Sequence, residues 1–224
     1  MKIIIDAMSG DNAPQAQVSG CVQAAKEFGQ EYILVGQEAV LRDLLAKEQA
    51  ENLPITIHDA QEIIDMHDDP ATAVRRKKDA SMSVALRMIK DGEADAMISA
   101  GNTGALLTGA TLYGGRIKGI RRAALAPVLP CEGGEVMLCD AGANTECTAE
   151  MLLQFAFLAS LYAEKNNGLK SPRVGLVNNG TEDTKGDPLR REAYALLKAA
   201  GDAGRLNFVG NVEGSQVPLG ACDV

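Results

Sequence analysis

Over the first sixty residues, short apolar runs alternate with amphipathic stretches, and this alternation limits the chain to very few folds. Lys2-Ile3-Ile4-Ile5-Asp6, Tyr32-Ile33-Leu34-Val35-Gly36 and Ile55-Thr56-Ile57-His58 read as strands. A helical pattern entered at Pro14 runs to about Phe28, and a second covers Glu38 to Gln49. Strand–helix–strand repetition predicts a parallel sheet, and the unbroken apolarity of the first strand suggests a central strand covered on both faces. Scarce aromatics (4%), no Trp and 23 glycines suit tight strand–helix turns better than a β-sandwich. The expected architecture is therefore α/β, read as a single domain over 1–224.

Four of the predicted strands end in polar, glycine-bearing loops: Asp6–Asp11, Ser99–Gly104, Asp140–Asn144 and Asn178–Gly186. In an open parallel sheet the carboxyl ends share one edge, where ligands bind, so these loops can converge. The second is the most telling. The run Asp95–Ile98 leads into Ser99-Ala100-Gly101-Asn102-Thr103-Gly104, and Ala105–Tyr113 reads as a buried helix. The first N–H groups of a helix lack internal partners and carry partial positive charge, so this is the geometry of an anion site. Gly101 and Gly104 would let a ligand approach the backbone. Asp140-Ala141-Gly142-Ala143-Asn144 repeats the arrangement of Asp6–Asp11.

The remaining segments predict a helix from Ala71 carrying Val74-Arg75-Arg76-Lys77-Lys78, and another over Ser81–Lys90. A second basic stretch follows over Gly114–Arg122. Strands are expected at Ala124–Pro130, Glu135–Asp140, Pro172–Asn178 and Leu206–Gly210, with helices over Met151–Ala163 and Asp187–Leu197. Ala221-Cys222-Asp223-Val224 reads as the approach to a strand, so the chain resembles the front part of a longer protein.

Several chemistries find no support in the sequence. It contains no GxSxG elbow, no HExxH and no G-x-x-x-x-G-K-[ST], and the glycines of 101–104 are not a dinucleotide fingerprint. Five cysteines without CxxC spacing read as reduced core thiols, and His58 and His67 form no helical metal pair, so no metal is expected. A net charge of −8 opposes nucleic acid. No apolar run reaches the roughly 18 residues a membrane-spanning helix requires.

Seven segments in order resemble the PlsX family of bacterial phosphate acyltransferases: Ile5–Asp11, Val74–Lys78, Ile98–Ala105, Gly115–Ile120, Asp140–Asn144, Gly180–Gly186 and Phe208–Gly214. Ser9 stands where that family usually has Gly. The resemblance implies a three-layer α/β/α fold with a mostly parallel sheet, similar to isocitrate and isopropylmalate dehydrogenases, with this chain lacking the family's C-terminal third. It implies transfer of an acyl group from acyl carrier protein to inorganic phosphate without a cofactor, by a cytoplasmic homodimer associated peripherally with the membrane. Among the strand-end residues, those suited to that chemistry are Asp6, Asp11, Asn102, Asp140 and Lys185 as catalytic groups. Ser99, Gly101, Asn102, Thr103, Gly104 and Lys185 would hold phosphate. Arg75, Arg76, Lys77, Lys78, Arg116, Lys118 and Arg121 would dock the acidic carrier protein. The alternatives are a phosphate acetyltransferase acting on acyl-CoA and a non-catalytic phosphate-binding module.

Overall fold

A computed structural model describes all 224 residues. The chain, expected from its sequence to be one α/β domain, divides into two compact units, Met1–Gly115 and Arg116–Val224.

In the first unit the predicted alternation is realised. Strands β1 (Lys2–Asp6), β2 (Glu31–Gly36) and β3 (Ile55–Asp59) alternate with helices α1 (Gln15–Phe28) and α2 (Glu38–Lys47). Helices α3 (Ala73–Arg76) and α4 (Ser81–Lys90), strand β4 (Ala96–Ile98) and helix α5 (Thr103–Tyr113) complete it. All four strands are parallel, in the order β3-β2-β1-β4. Successive side chains on a strand point to opposite faces. Ile5, Tyr32 and Leu34 therefore join α1 and α2 in one core, while Ile4, Ile33 and Val35 meet Val84, Ala85 and Met88 of α4 in another. That gives helix, sheet and helix as three layers. The winding reverses between β1 and β4, which makes the carboxyl ends of those strands the topological switch point, the usual ligand crevice of such sheets.

The second unit holds an antiparallel pair, β5 (Val128–Cys131) with β6 (Gly134–Met137), and a parallel pair, β7 (Arg173–Asn178) with β8 (Asn207–Glu213). Helices α6 (Ala149–Asn166) and α7 (Pro188–Asp202) pack together over Val174, Leu176 and Met137. Asp187 caps α7, accepting from the Arg190 N–H at 2.8 Å, with Pro188 at the first helical position. The segment ending at Val224 lies as the sequence suggests, in strand-like bonding. The Met137 N–H donates to the Asp223 carbonyl (2.9 Å) and the Gly175 N–H to that of Val224 (2.8 Å). A cavity of about 380 Å³ between β6 and β7 is lined by Met137, Cys139, Leu176, Val177, Leu197 and Val224.

Four local expectations are corrected. Helix α5 is not buried along its length: only Ala105 and Gly109 are, and Leu112 is exposed. Helix α3 stops at Arg76, so Lys77 and Lys78 lie beyond it; the pull of Asp68 on Lys77 accompanies that stop. The strand expected from Ala124 starts at Val128, because the stretch before it spends its backbone on other partners. The Leu125 N–H donates to Asp140, and the Pro127 carbonyl accepts from the Leu138 N–H. The strand expected over Glu135–Asp140 ends at Met137 for the same reason.

Candidate functional site

At the switch point, Ile5 and Ile98 are paired residues of β1 and β4, which brings Asp6 and Ser99 side by side. Asp6 is fully buried. One carboxylate oxygen accepts from the Ser81 hydroxyl at the start of α4 (2.5 Å), the other from the Ser99 hydroxyl (2.7 Å). The Ser99 Oγ in turn accepts from the Gly101 N–H at 3.2 Å. With its proton committed to Asp6, the half-buried Ser99 keeps only acceptor capacity on the protein side; Asp6 fixes its orientation. Ser81 was not anticipated. It sits at an ordinary helix start in the sequence, 75 residues from Asp6, and only the fold joins them.

Asn102 caps α5. Its Oδ1 accepts from the Ala105 N–H at 3.0 Å. Its Nδ2 faces the carbonyls of Asp65, Met66 and Asp68 at 3.3, 3.4 and 3.3 Å, three acceptors sharing two protons. Asn102 thus ties the loop Asp65–Pro70 to the start of α5. The loop is fastened a second time, by the Lys77–Asp68 ion pair at 2.5 Å, and Lys77 also donates to the Ile63 carbonyl. The hydrogen bond from Lys77 holds the Asp68 carboxyl below the usual range.

The two glycines also have a packing reason. A Cβ on Gly101 would stand 2.6 Å from the Ser9 Cβ, and one on Gly104 2.7 Å from the Pro70 Cβ. Close packing against protein requires glycine at both positions. Of the first three N–H groups of α5, that of Ala105 is capped, which leaves those of Thr103 and Gly104 without an intrahelical partner. Ser9, buried beside Gly101, has a hydroxyl with no hydrogen-bond partner, and so has the Oε1 of Gln17, whose Nε2 donates to the Ser9 carbonyl. A buried polar cluster left partly unsatisfied next to free helix N–H groups is a feature of ligand sites rather than of cores. Asp11 stands apart from this cluster, exposed on the same loop.

In the second unit, Asp140 is the hub of a different arrangement. Its Oδ1 accepts from the N–H groups of Leu125 (2.7 Å) and Ala143 (3.2 Å). Its Oδ2 accepts from the N–H (2.7 Å) and side-chain amide (3.0 Å) of Asn144. The Asn144 amide also reaches the Ala123 carbonyl. Cys139 and Cys147 flank this loop. Burial pushes the Cys139 thiol up to about 12 and that of Cys147 above its ordinary value, so both are protonated at neutral pH and neither is an activated nucleophile.

Lys185 is exposed and lies 3.6 Å from Glu182. Beneath it, the Asn178 and Asn211 amides are buried and bonded to each other at 3.0 Å. Asn211 lies one residue past the strand the sequence predicts, Leu206–Gly210, and joins β8 only in the fold.

Of the basic residues expected to dock a partner, Arg75, Arg76 and Lys78 are exposed, whereas Lys77 is engaged with Asp68. In the second unit Arg116 donates to the Arg121 carbonyl, and Arg121 pairs with Glu150 at 2.7 Å; Lys118 is exposed.

Strand order, switch-point polar cluster and helix N-terminus define an α/β protein sharing its fold with phosphotransacetylases. A phosphotransacetylase from Streptococcus pyogenes superposes with a TM-score of 0.69 at 21% identity, over 95% of this chain and 68% of that one. The EutD phosphotransacetylase from Staphylococcus aureus gives 0.66 at 14% identity, over 100% and 74%. At the level of sequence, the chain belongs to the family described as "Fatty acid synthesis protein", whose pattern it matches over residues 1–224. It is 48% identical over 225 aligned positions to a phosphate acyltransferase of Thermoanaerobacter pseudethanolicus and 46% identical to one of Clostridium novyi. It spans 65% and 67% of the length of those two relatives.

Proposed function

We propose that the protein transfers an acyl group from a thioester to inorganic phosphate, giving an acyl phosphate. The observation that carries this reading is near-half identity, over the whole chain, to proteins named phosphate acyltransferase. The cluster at the ends of β1 and β4 supports it chemically. Phosphate is the nucleophile, so no activated Ser or Cys is needed, and the protonated state of Cys139 and Cys147 is no obstacle. A phosphate oxygen adds to the thioester carbonyl, the tetrahedral oxyanion collapses, the C–S bond breaks and a thiolate leaves. A simple thiol has a pKa of about 8.5, so the leaving group needs little help from a general acid. What remains for the protein is to hold the anion beside the carbonyl and to meet the developing oxyanion with fixed donors. The N–H groups of Thr103 and Gly104 serve as those donors. Ser99, oriented by Asp6, lines the same place, and Gly101 and Asn102 keep the turn in shape. Lys185 is the cation assigned to phosphate or carbonyl in the second unit, with Asp140 bracing its own loop and Asp11 a further carboxylate for proton transfer.

The donor in this proposal is acyl-[acyl carrier protein], docked through Arg75, Arg76, Lys77, Lys78, Arg116, Lys118 and Arg121, and the product feeds glycerol-3-phosphate acylation in phospholipid synthesis. The working form is a cytoplasmic homodimer associated peripherally with the membrane; no helix is long and apolar enough to cross one. The test is turnover of phosphate with acyl-carrier-protein and with acyl-CoA thioesters, trapping acyl phosphate as hydroxamate. Preference for the carrier-protein donor is expected. Preference for CoA would instead make the enzyme a phosphate acetyltransferase-like one, and phosphate binding without product would make it a binding module. Charge reversal at Arg76, Lys78 and Arg121 should raise KM for the carrier protein; an unchanged KM at low salt overturns that docking surface.

A further inference from the structure

We infer that Asn178 and Asn211 form an amide clamp that sets the position of Lys185, making both of them positioning residues for the proposed reaction; this rests on the assignment of Lys185 made above. The two asparagines come from neighbouring parallel strands, β7 and β8, where Asn211 is paired with Leu176 and Asn178 with Glu213. Each is only 7% exposed. A buried primary amide offers two donors and two acceptors and is costly unless they are used. Here three bonds go to the loop after β7 and one joins the two amides. The Asn178 Nδ2 donates to the Lys185 carbonyl at 3.1 Å and to the Asn211 Oδ1 at 3.0 Å, and its Oδ1 accepts from the Asn179 N–H at 2.9 Å. The Asn211 Nδ2 donates to the Glu182 carbonyl at 2.8 Å. The clamp therefore grips the loop by the carbonyls of two residues, Glu182 and Lys185, whose side chains face each other in solvent. The Lys185 N–H closes the turn between them, donating to the Glu182 carbonyl at 3.0 Å. Gly186 (φ +96°) lies so close over the clamp that a Cβ there would meet the Asn178 Oδ1 at 2.6 Å.

None of these bonds is needed to join β7 to β8, because the strands already form their own ladder. A pair of leucines would fill the same place without leaving amides to satisfy. What the amides add is fixed attachment of a polar loop whose only cation is Lys185. Rigid support of a charged group from beneath is how a site keeps its geometry.

The test compares Asn211→Ala, Lys185→Ala and the double variant in the intact protein, with two readouts. The first is amide hydrogen exchange over 180–187. Asn211→Ala should raise exchange there and leave α6 and α7 as protected as before. The second is turnover of acyl thioester with phosphate. Asn211→Ala should lower kcat/KM by about tenfold, and that loss should vanish in the Lys185→Ala background. A substitution that merely weakened the fold would lower both backgrounds alike. Unchanged exchange over 180–187, or fully additive losses, overturns the clamp. Asn211→Gln, which retains the donor, should recover part of the loss, and equal damage from Gln and Ala counts against a positioning role. If the unsubstituted protein forms no acyl phosphate, the functional reading falls, and the exchange measurement alone then decides whether the amides hold the loop.

Discussion

The sequence writes the strand ends at Asp6 and Asp140 in nearly the same way, and the fold uses them differently. Both aspartates follow a run of apolar residues and precede a glycine-bearing turn. Asp6 is fully buried and accepts from two side-chain hydroxyls, those of Ser81 and Ser99, which come from other elements. Asp140 is half-buried and accepts mainly from backbone N–H groups, two of them within four residues of itself. Hydroxyls rotate and can exchange partners, whereas N–H groups are fixed by the chain. Asp6 therefore orients two hydroxyls from other elements, and Asp140 closes a loop. An aspartate after a strand tells where polar chemistry gathers; its partners tell what the carboxylate is for.

That contrast can be broken experimentally, and the largest effect is expected at Asp6. Asp6→Ala should orphan the buried Ser81 hydroxyl and free Ser99, costing about 3 kcal/mol in stability of the first unit and abolishing measurable turnover. Ser99→Ala keeps Asp6 and Ser81 paired, so it should cost turnover with little loss of stability. Chemical denaturation alongside the acyl phosphate assay separates the two. Equal stability losses in Asp6→Ala and Ser99→Ala would contradict the division of labour. A smaller effect is expected at Asp140. Asp140→Asn presents an NH₂ to donors but retains one acceptor, and solvent can reach the loop, so about 1–2 kcal/mol should be lost. A fall in kcat at Asp140→Asn larger than that at Ser99→Ala would show that the second carboxylate is the chemical one.

Much of the first unit was legible because its signals are local. Continuous apolar runs, helical spacing and Pro14 define β1 to α2, and α4 over Ser81–Lys90 is where the sequence sets it. The segment 116–140 was less legible. Its strands are short, and its order comes from long-range bonds such as Leu125 N–H to Asp140 and Glu132 N–H to the Pro218 carbonyl, which leave no periodic pattern. The same division runs through the site. Ser99 to Gly104 could be read because a strand, a glycine turn and a helix are consecutive. Ser81 and Asn211 could not, because a serine at a helix start and an asparagine in a strand carry no signal until the fold brings Asp6 and Asn178 to them. Gly101 and Gly104 carry a packing reason that the sequence does not show: a Cβ on either would meet Ser9 or Pro70.

The Asp65–Pro70 loop sharpens the comparison by pH. Its link to Lys77 depends on a carboxyl whose folded value is lowered, first by the Lys77 hydrogen bond and then by the Asp65 N–H. A depressed folded value means that the link contributes above the ordinary Asp value of about 3.9 and is lost as pH falls through the folded one. Hydrogen exchange over 64–70 should thus be flat from neutral pH down to about pH 4, once corrected for intrinsic rates, and rise below it. Lys77→Met should show the raised exchange at every pH. The amides of the core strand β2 should show no matching step. A step of the same size there would mean that global acid unfolding, not the latch, is being observed.

The smallest effect is expected at Ser9, where the resemblance read from the sequence leads one to expect glycine. The Ser9 hydroxyl is buried and has no partner, and a buried polar group left unsatisfied costs about 1–3 kcal/mol. Ser9→Ala removes the hydroxyl and keeps the Cβ that packs on Gly101. If Ser9 is only a tolerated substitution, the alanine variant should be as stable as the parent, or more stable by about 1 kcal/mol, with KM for phosphate unchanged. A variant that gains stability but loses affinity for phosphate would make Ser9 a hydroxyl kept unsatisfied for a ligand, on the Asp6 side of the contrast. Loss of stability would place it with Asp140, as part of the brace. One substitution, read in both denaturation and KM, therefore assigns this residue to one side or the other of the contrast between the two strand ends.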